Sequence, residues 1–489
     1  MAIKNKVQLI TYPDSLGGNL KNLVTVLDNH FTDLFKGGVH ILPPFPSSGD
    51  RGFAPLTYFE IAKEFGTWED IKHIAAKYDI MIDLMVNHIS QQSVYFQDFL
   101  QKGKASGYAN LFLTLDKIWE DGKPVMEDID KMFLRRTLPY SEFETGADKE
   151  KIKVWTTFGK QEPSEQIDFD INSVMFKDLL LKILQNFKEN NIKMVRLDAV
   201  GYVIKKLGTS CFWVEPDVYN FLDSVKAIAD QLGIELLPEV HAHYSIQNSL
   251  SEHGYWIYDF ILPYTILDTL IHQNTSKLLA YAKNRPANQF TMLDCHDGIP
   301  VKPDMDTLVN TAEARQLVNT CVERGANLSY IFSDKHKDAD GFDIHQIRCS
   351  YYSMLNCNDD AYIAARAIQF FLPGIPQVYY VGLLAGKNDT ENVLKTVEGR
   401  EINRHNFTMA EIETAVQKPV VNRLFNLINF RNNTDAFNGT FKVWSDSETT
   451  ITLQWTKGQS LCKLEVDVLN YTSIVESVEE NGNKEIILF

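Results

Sequence analysis

Short apolar runs alternate with longer amphipathic stretches along much of the chain. Val7–Thr11 reads as a strand, Leu20–Phe35 has helical periodicity, and Gly38–Leu42 reads as a strand ending in Pro43-Pro44. Trp68–Tyr78 predicts a helix and Ile80–Val86 a buried strand. The alternation resumes with helix Val174–Lys188, strand Met194–Leu197, helix Pro216–Leu232 and strand Glu235–Pro238. Strand Phe290–Leu293, helix Ala361–Phe371 and strand Gln377–Val381 follow. Repeated βα units of this kind predict an α/β protein with a parallel sheet and crossover helices, either doubly wound or closed into a (β/α)8 barrel.

Two stretches, 87–169 and 298–356, break the alternation. The first is rich in Lys, Asp, Glu and isolated aromatics. Segments this long between elements predict inserted subdomains or functional loops. The tail differs again. Thr450–Thr456, Ser460–Val466, Thr472–Val478 and Glu485–Phe489 are short, partly alternating and β-branched, which predicts a small antiparallel β domain. The expected partition is a barrel from 1–86, 170–297 and 357–432, an inserted domain B at 87–169, a second inserted subdomain with an acceptor loop at 298–356, and a C-terminal β domain at 433–489.

Composition narrows the partners. The 489 residues carry 48 Lys+Arg against 64 Asp+Glu, a net charge of −16. That argues against nucleic acid, which needs a basic footprint, and against a polybasic membrane surface. No apolar run approaches the roughly 18–20 residues of a membrane helix, and no signal-peptide core precedes Val7. The six cysteines form no CxxC pair, which predicts reduced thiols and a cytoplasmic protein.

Candidate chemistry gathers at strand ends. Asp198 closes Met194–Leu197, Glu239 closes Glu235–Pro238, and Asp297 follows Met292-Leu293-Asp294-Cys295-His296. In a parallel barrel this edge forms the open face where active sites are built. Each carboxylate taken alone also fits a helix cap or a structural salt bridge. Arg196 shares a strand face with Asp198 and would keep it ionised as a nucleophile. Glu239 has no cation before it on its own strand and follows apolar residues, an environment suited to a general acid. Asn87-His88 adds a polar pair at the same edge. Two carboxylates, one nucleophile and one acid, are the minimum for retaining glycosyl transfer.

Four segments, Asp83–His88, Val195–Val200, Leu237–Val240 and Leu293–Asp297, resemble in order the motifs of the α-amylase superfamily of retaining glycosidases and transglycosylases. Gln8–Tyr12, Pro373–Gly382 and Gly399–His405 are similar to the sucrose-phosphorylase branch. The resemblance implies a (β/α)8 TIM barrel with two inserted subdomains and a small C-terminal antiparallel β domain. It implies Asp198 as nucleophile, Glu239 as acid/base and Asp297 as transition-state stabiliser. Asp50, His88, Arg196, His296 and Arg400 would hold glucosyl hydroxyls, and Phe53 would form an apolar platform. Tyr202 and Phe212 would lie near the acceptor, with Gln166 and Gln346 in the same pocket. The implied double displacement puts the two carboxyl groups about 5–5.5 Å apart. It needs no metal or cofactor, only inorganic phosphate as co-substrate. Asp294/Asp297 and Asp338/Asp340 read as solvated loop acids rather than calcium ligands. The sequence leaves monomer and homodimer open.

Two loops depart from the branch pattern for a neutral acceptor. Met132–Tyr140 carries Arg135-Arg136, and Gly341–Gln346 carries Asp343 and His345, the latter where a Tyr is common. Both look similar to the loops of sucrose 6′-phosphate phosphorylases, in which Arg135 and His345 would grip the sugar phosphate. An Arg fork suits phosphate oxygens, and on a chain of −16 an anionic sugar needs such local cations. The alternatives are that Arg135 and Arg136 serve only inorganic phosphate, or that the acceptor is sucrose, glucosylglycerol or glucosylglycerate. A hydrolase and a non-catalytic sugar-binding relative are the competing classes.

Overall fold

The computed structural model describes residues 3–146, 149–302, 305, 308–332, 337 and 341–489. The chain divides into two compact units. One comprises Ile41–Val240 with Ile331–Lys337, and the other Ala2–His40, His241–Tyr330 and Asp338–Phe489.

In the first unit, strands Ile80–Met85, Ile192–Asp198 and Glu235–Pro238 run parallel, with Met85 beside Asp198 and Arg196 beside both Asp83 and Leu237. Helix Val174–Glu189 precedes the second strand. The Ser173 side chain caps it by accepting from Phe176 N at 3.0 Å. Its buried face is Phe176, Leu179, Leu180, Ile183, Leu184 and Phe187, the spacing of one helical stripe. Helix Asp217–Leu232 ends at Gly233, whose φ of 69° makes the left-handed turn into the third strand. Pro216, expected as its first residue, stands at the N-cap position instead.

The irregular stretch within this unit has a core of its own. Trp119 stacks on Trp155 at 5.6 Å, among buried Leu113, Leu115, Ile129 and Met132. A hairpin, Tyr140–Glu144 with Lys151–Trp155, covers it. His88–Ser90 pairs antiparallel with Gln166–Asp168, so the segment leaves and returns side by side.

In the second unit, strands Ile257–Asp259, Gln289–Thr291, Ile375–Tyr379 and Gln8–Thr11 pair in that order, all parallel. Gly38–Ile41 flanks Gln8–Thr11. Eight parallel strands are thus present among the described residues. Ile257–Asp259 lies in no predicted element, because three residues carry no measurable period. The predicted strand Phe290–Leu293 is shifted to Gln289–Thr291. Three short strands, Ile299–Pro300, Ile344–Arg348 and Asn327–Tyr330, form an antiparallel sheet in the second irregular stretch.

Helix Asp359–Phe371 is buried from Ala361 onward. Its Arg366, fully buried, pairs with Asp294 at 2.7 Å and bonds Gln369 and Tyr362. The tail forms a five-stranded antiparallel sheet, Thr440–Trp444, Thr450–Lys457, Ser460–Asp467, Thr472–Val478 and Lys484–Leu488. Its first strand was not among those predicted. Trp455 Nε1 donates to Phe371 O at 2.6 Å and ties the sheet to the buried helix. No described helix is long and apolar enough to cross a membrane.

Candidate active site

The first unit builds its site around Arg196. The guanidinium donates to Asp198 Oδ1 at 2.9 Å through Nη1 and lies 3.3 Å from Glu239 Oε1 through Nη2. Nη1 also pairs with Asp83, a fully buried residue on the neighbouring strand. Strand register explains the convergence: Asp83 pairs with Arg196, and Asp198 shares the face of Arg196 two residues on. Glu239 has no cation before it on its own strand, and its cationic partner comes from the adjacent one. Both carboxylates therefore lie within the span of two polar contacts and one guanidinium. Ala199 N donates to Glu239 Oε2 at 3.3 Å, and Ala199 has a left-handed φ of 56°. Non-glycine residues in this region concentrate where function constrains the backbone. Asp50 and Arg51, at φ 45° and 50°, are two more.

Phe53 lies under Arg196, whose Cζ is 5.8 Å from the ring centroid. The Phe53 carbonyl accepts from His88 Nε2 at 3.0 Å and Gln166 Nε2 at 3.3 Å. Burial holds the His88 imidazole below its usual range, against the opposing pull of Asp168. Gln166 Oε1 is buried without a hydrogen-bond partner. Asp50 is exposed at the rim of this unit.

Aromatic rings continue outward. Tyr202 lies 4.8 Å from Phe212, 5.0 Å from Phe158 and 6.5 Å from Phe133. Gly201 is required here, because a Cβ would sit 2.7 Å from Phe212 Cε2. Sequence reasoning missed Phe133, which between Met132 and Leu134 reads as ordinary core, and Phe158, which stands alone between Thr157 and Gly159. A small cavity is lined by Phe133, Arg135, Arg136, Tyr202 and Lys205. The two arginines differ. Arg136 donates to Thr156 Oγ1 at 3.0 Å and Gln161 O at 3.0 Å and pairs with Glu162 at 2.5 Å. Its fork is committed to the loop it holds. Arg135 is half-buried.

The second unit centres on Asp297. Arg400 Nε approaches Oδ1 at 3.4 Å and His296 Nε2 approaches Oδ2 at 3.6 Å. Burial pushes the carboxyl up, but Arg400, then His296, His241 and Arg404, outweigh it and hold Asp297 well below the usual carboxylate range. Oδ1 is nevertheless buried without a hydrogen-bond partner, an acceptor suited to a ligand hydroxyl. Asn403 Nδ2 donates to Cys295 O at 3.0 Å and Arg404 Nε to His296 O at 2.9 Å. The Gly399–His405 motif thus holds the strand end that carries His296 and Asp297. His405 bridges Asp389 at 2.6 Å and Glu411 at 3.1 Å.

His345 is buried on strand Ile344–Arg348, with its ring 6.1 Å from that of His241. Sequence reasoning missed His241, although it stands two residues after Glu239, the spacing of one strand face. Gln346 Oε1 is buried without a hydrogen-bond partner, and Asp343 is half-buried. Asp294, expected as a solvated loop acid, is instead buried and paired with Arg366. Asp338 and Asp340 lie outside the described residues.

Comparison with known proteins agrees with these motifs. Residues 13–256 match the α-amylase catalytic-domain family. The chain is 62% identical over 484 residues to the sucrose 6(F)-phosphate phosphorylase of Thermoanaerobacterium thermosaccharolyticum, covering 99% of both chains. It is 43% identical to the sucrose phosphorylase of Streptococcus mutans, over 96% of this chain and 97% of that protein. The crystal structure of sucrose 6F-phosphate phosphorylase from Thermoanaerobacter thermosaccharolyticum superposes with a TM-score of 0.98, at 62% identity over 100% of this chain and 99% of that one. The shared fold is a (β/α)8 TIM barrel with a C-terminal antiparallel β domain. The chain belongs to the sucrose-phosphorylase branch of the α-amylase family.

Proposed function

We propose that this enzyme reversibly phosphorolyses sucrose 6′-phosphate to α-D-glucose 1-phosphate and fructose 6-phosphate, with retention. The observation that carries the chemistry is Arg196 contacting both Asp198 and Glu239. Asp83, Asp198 and Glu239 all contact that guanidinium. Asp198 has the shorter contact and serves as the nucleophile. Glu239 serves as the acid/base.

Asp198 attacks the anomeric carbon as Glu239 protonates the bridging oxygen, and fructose 6-phosphate leaves. A phosphate oxygen then attacks the β-glucosyl ester, its proton passing to Glu239, and Asp198 is released as the carboxylate. Two inversions give net retention. Asp297 and its arginine and histidine neighbours stabilise the charge that develops on the sugar. Asp50, Phe53, His88, Arg196, His296 and Arg400 hold the glucosyl moiety. Gln166, Gln346, Tyr202, Phe212 and Asp343 serve the acceptor side.

Arg135 and His345 bind the 6-phosphate of the fructosyl group. Arg136 is held by Glu162 and the adjacent loop. The higher identity to a sucrose 6(F)-phosphate phosphorylase than to a sucrose phosphorylase supports the phosphorylated acceptor. Sucrose itself is the second reading, favoured by the 43% relative. The reaction needs phosphate and no cofactor. The six cysteines are free thiols, which supports a reducing, cytoplasmic setting. We infer a barrel from 1–86, 170–297 and 357–432, with domain B at 87–169, a second insertion at 298–356 and the β domain at 433–489.

Proton and phosphorus NMR of the products tests the reaction. The α-anomer of glucose 1-phosphate with fructose 6-phosphate is expected from sucrose 6′-phosphate and phosphate. Free glucose as the main product, or the β-anomer, would remove the proposal.

A further inference from the structure

One buried ammonium in the first unit has no part in the chemistry above. Lys205 stands seven residues beyond Asp198, with its side chain 3% exposed. An ammonium has three donors and no acceptor. Here they meet three oxygens from three separate segments. These are Asn87 Oδ1, just past strand Ile80–Met85; the main-chain oxygen of Tyr202, in the turn after strand Ile192–Asp198; and Asp168 Oδ2 at 2.7 Å, where the irregular stretch returns. Asp168 is satisfied on its other sides. Its Oδ1 accepts from Thr157 N at 2.9 Å, and its Oδ2 from Thr157 Oγ1 and from Asn87 Nδ2 at 3.0 Å.

The ammonium and the Asp168 carboxylate together decide which way Asn87 points. With Oδ1 turned to Lys205, the amide nitrogen faces Asp168 and lies 3.5 Å from His88 Nδ1. His88 Nδ1 is then the acceptor, and the ring proton sits on Nε2. That proton is donated to the Phe53 carbonyl at 3.0 Å, which can only accept. A chain of polar contacts runs from Lys205 through Asn87 and His88 to Phe53, and a second limb ends on Tyr202.

We propose that Lys205 is a positioning residue for the transfer reaction: it holds the Asn87 amide and through it the His88 ring, and it pins the turn that carries Tyr202. It therefore holds a glucosyl-side group and an acceptor-side group in place relative to Asp198. The proposal rests on the roles given above to His88 and Tyr202.

Lys205→Met removes the charge and keeps most of the side-chain volume. It should lower kcat/KM by about 10²-fold, the scale of a misplacement of about 1 Å, with a fall in kcat as well as a rise in KM. Nitrogen-15 NMR of the His88 ring should show the Nε2–H tautomer in the parent and displaced ring-nitrogen shifts in the variant. In Lys205→Ala, propylammonium restores the lost atoms and should recover part of kcat, whereas 1-propanol should not.

A folded Lys205→Met with kcat/KM within about twofold of the parent, or with unchanged His88 nitrogen shifts, overturns the proposal. Should neither lysine variant fold, Asn87→Ser decides, because it keeps the Lys205–Asp168 pair and breaks only the relay. Parent-like kcat in that variant also overturns it. Absence of glucose 1-phosphate from the unsubstituted enzyme would count against the functional reading instead, and the His88 shifts would still test the positioning.

Discussion

Arg196 contacts three carboxylates, and its planar fork reaches Asp198 and Glu239 from different nitrogens. Lysine cannot reproduce that fork. Arg196→Lys should lower kcat/KM by at least about 10²-fold, measured on a variant whose melting temperature shows it folded. Asp297 makes a pH prediction. Its folded-state pKa lies well below 3.8, so its ionisation adds stability above the unfolded value. That stability is lost only as pH falls through the depressed one. Asp297 therefore does not set the acid limb of the rate profile. Asp297→Asn should lower kcat at every pH and leave the position of that limb unchanged. Arg135→Ala should raise KM for sucrose 6′-phosphate by about tenfold or more, the loss of a charge-assisted bond of about 1.5–3 kcal/mol, with little change for sucrose. An equal loss on both sugars would reassign Arg135 to inorganic phosphate. At this scale the sequence made Asp198, Glu239, Asp297 and Arg196 visible, since each stands at or beside a strand end. Lys205 stayed hidden because in Val203-Ile204-Lys205-Lys206 it reads as one of two solvated lysines. Only the fold brings Asn87 and Asp168 to it.

Turns and short strands place these residues. The turn Val200–Tyr202 follows Asp198 directly and packs against Phe212 at Gly201. Gly201→Ala has to push the Phe212 ring aside, since 2.7 Å is below any carbon–carbon contact. The expected result is a several-fold rise in KM for the acceptor in kinetic assays, with a smaller change in the transfer step. Legibility among the elements followed length and one-sidedness. Helix Val174–Glu189 has a clean buried stripe and was predicted to within one residue at its C-terminus. Helix Leu262–His272 is buried on nearly every side, so its sequence carries no polar face to set a period, and it was missed. The antiparallel closure of His88–Ser90 on Gln166–Asp168 joins residues about 80 apart, which no local pattern reveals. The break in alternation marked where that segment begins and ends, but not how it is stapled.

Across the whole chain, the buried helix Asp359–Phe371 joins two of the layers that the sequence kept separate. It holds Asp294 through Arg366 and meets the C-terminal sheet through Trp455. Trp455→Ala should cost about 3–5 kcal/mol, read from the denaturation midpoint, with kcat at low temperature nearly unchanged. A loss of kcat without a loss of stability would contradict a purely structural role for that sheet. The net charge of −16 excludes no anionic sugar, because local cations rather than the net charge decide what a site binds. The central claim is the phosphorylated acceptor, and it rests on one comparison. Phosphorolysis of sucrose 6′-phosphate, sucrose and glucosylglycerate should be followed side by side, at equal phosphate, by glucose 1-phosphate release. A kcat/KM for sucrose 6′-phosphate at least about tenfold above the other two, worth about 1.4 kcal/mol, is the predicted result. A clear preference for sucrose or glucosylglycerate would contradict it.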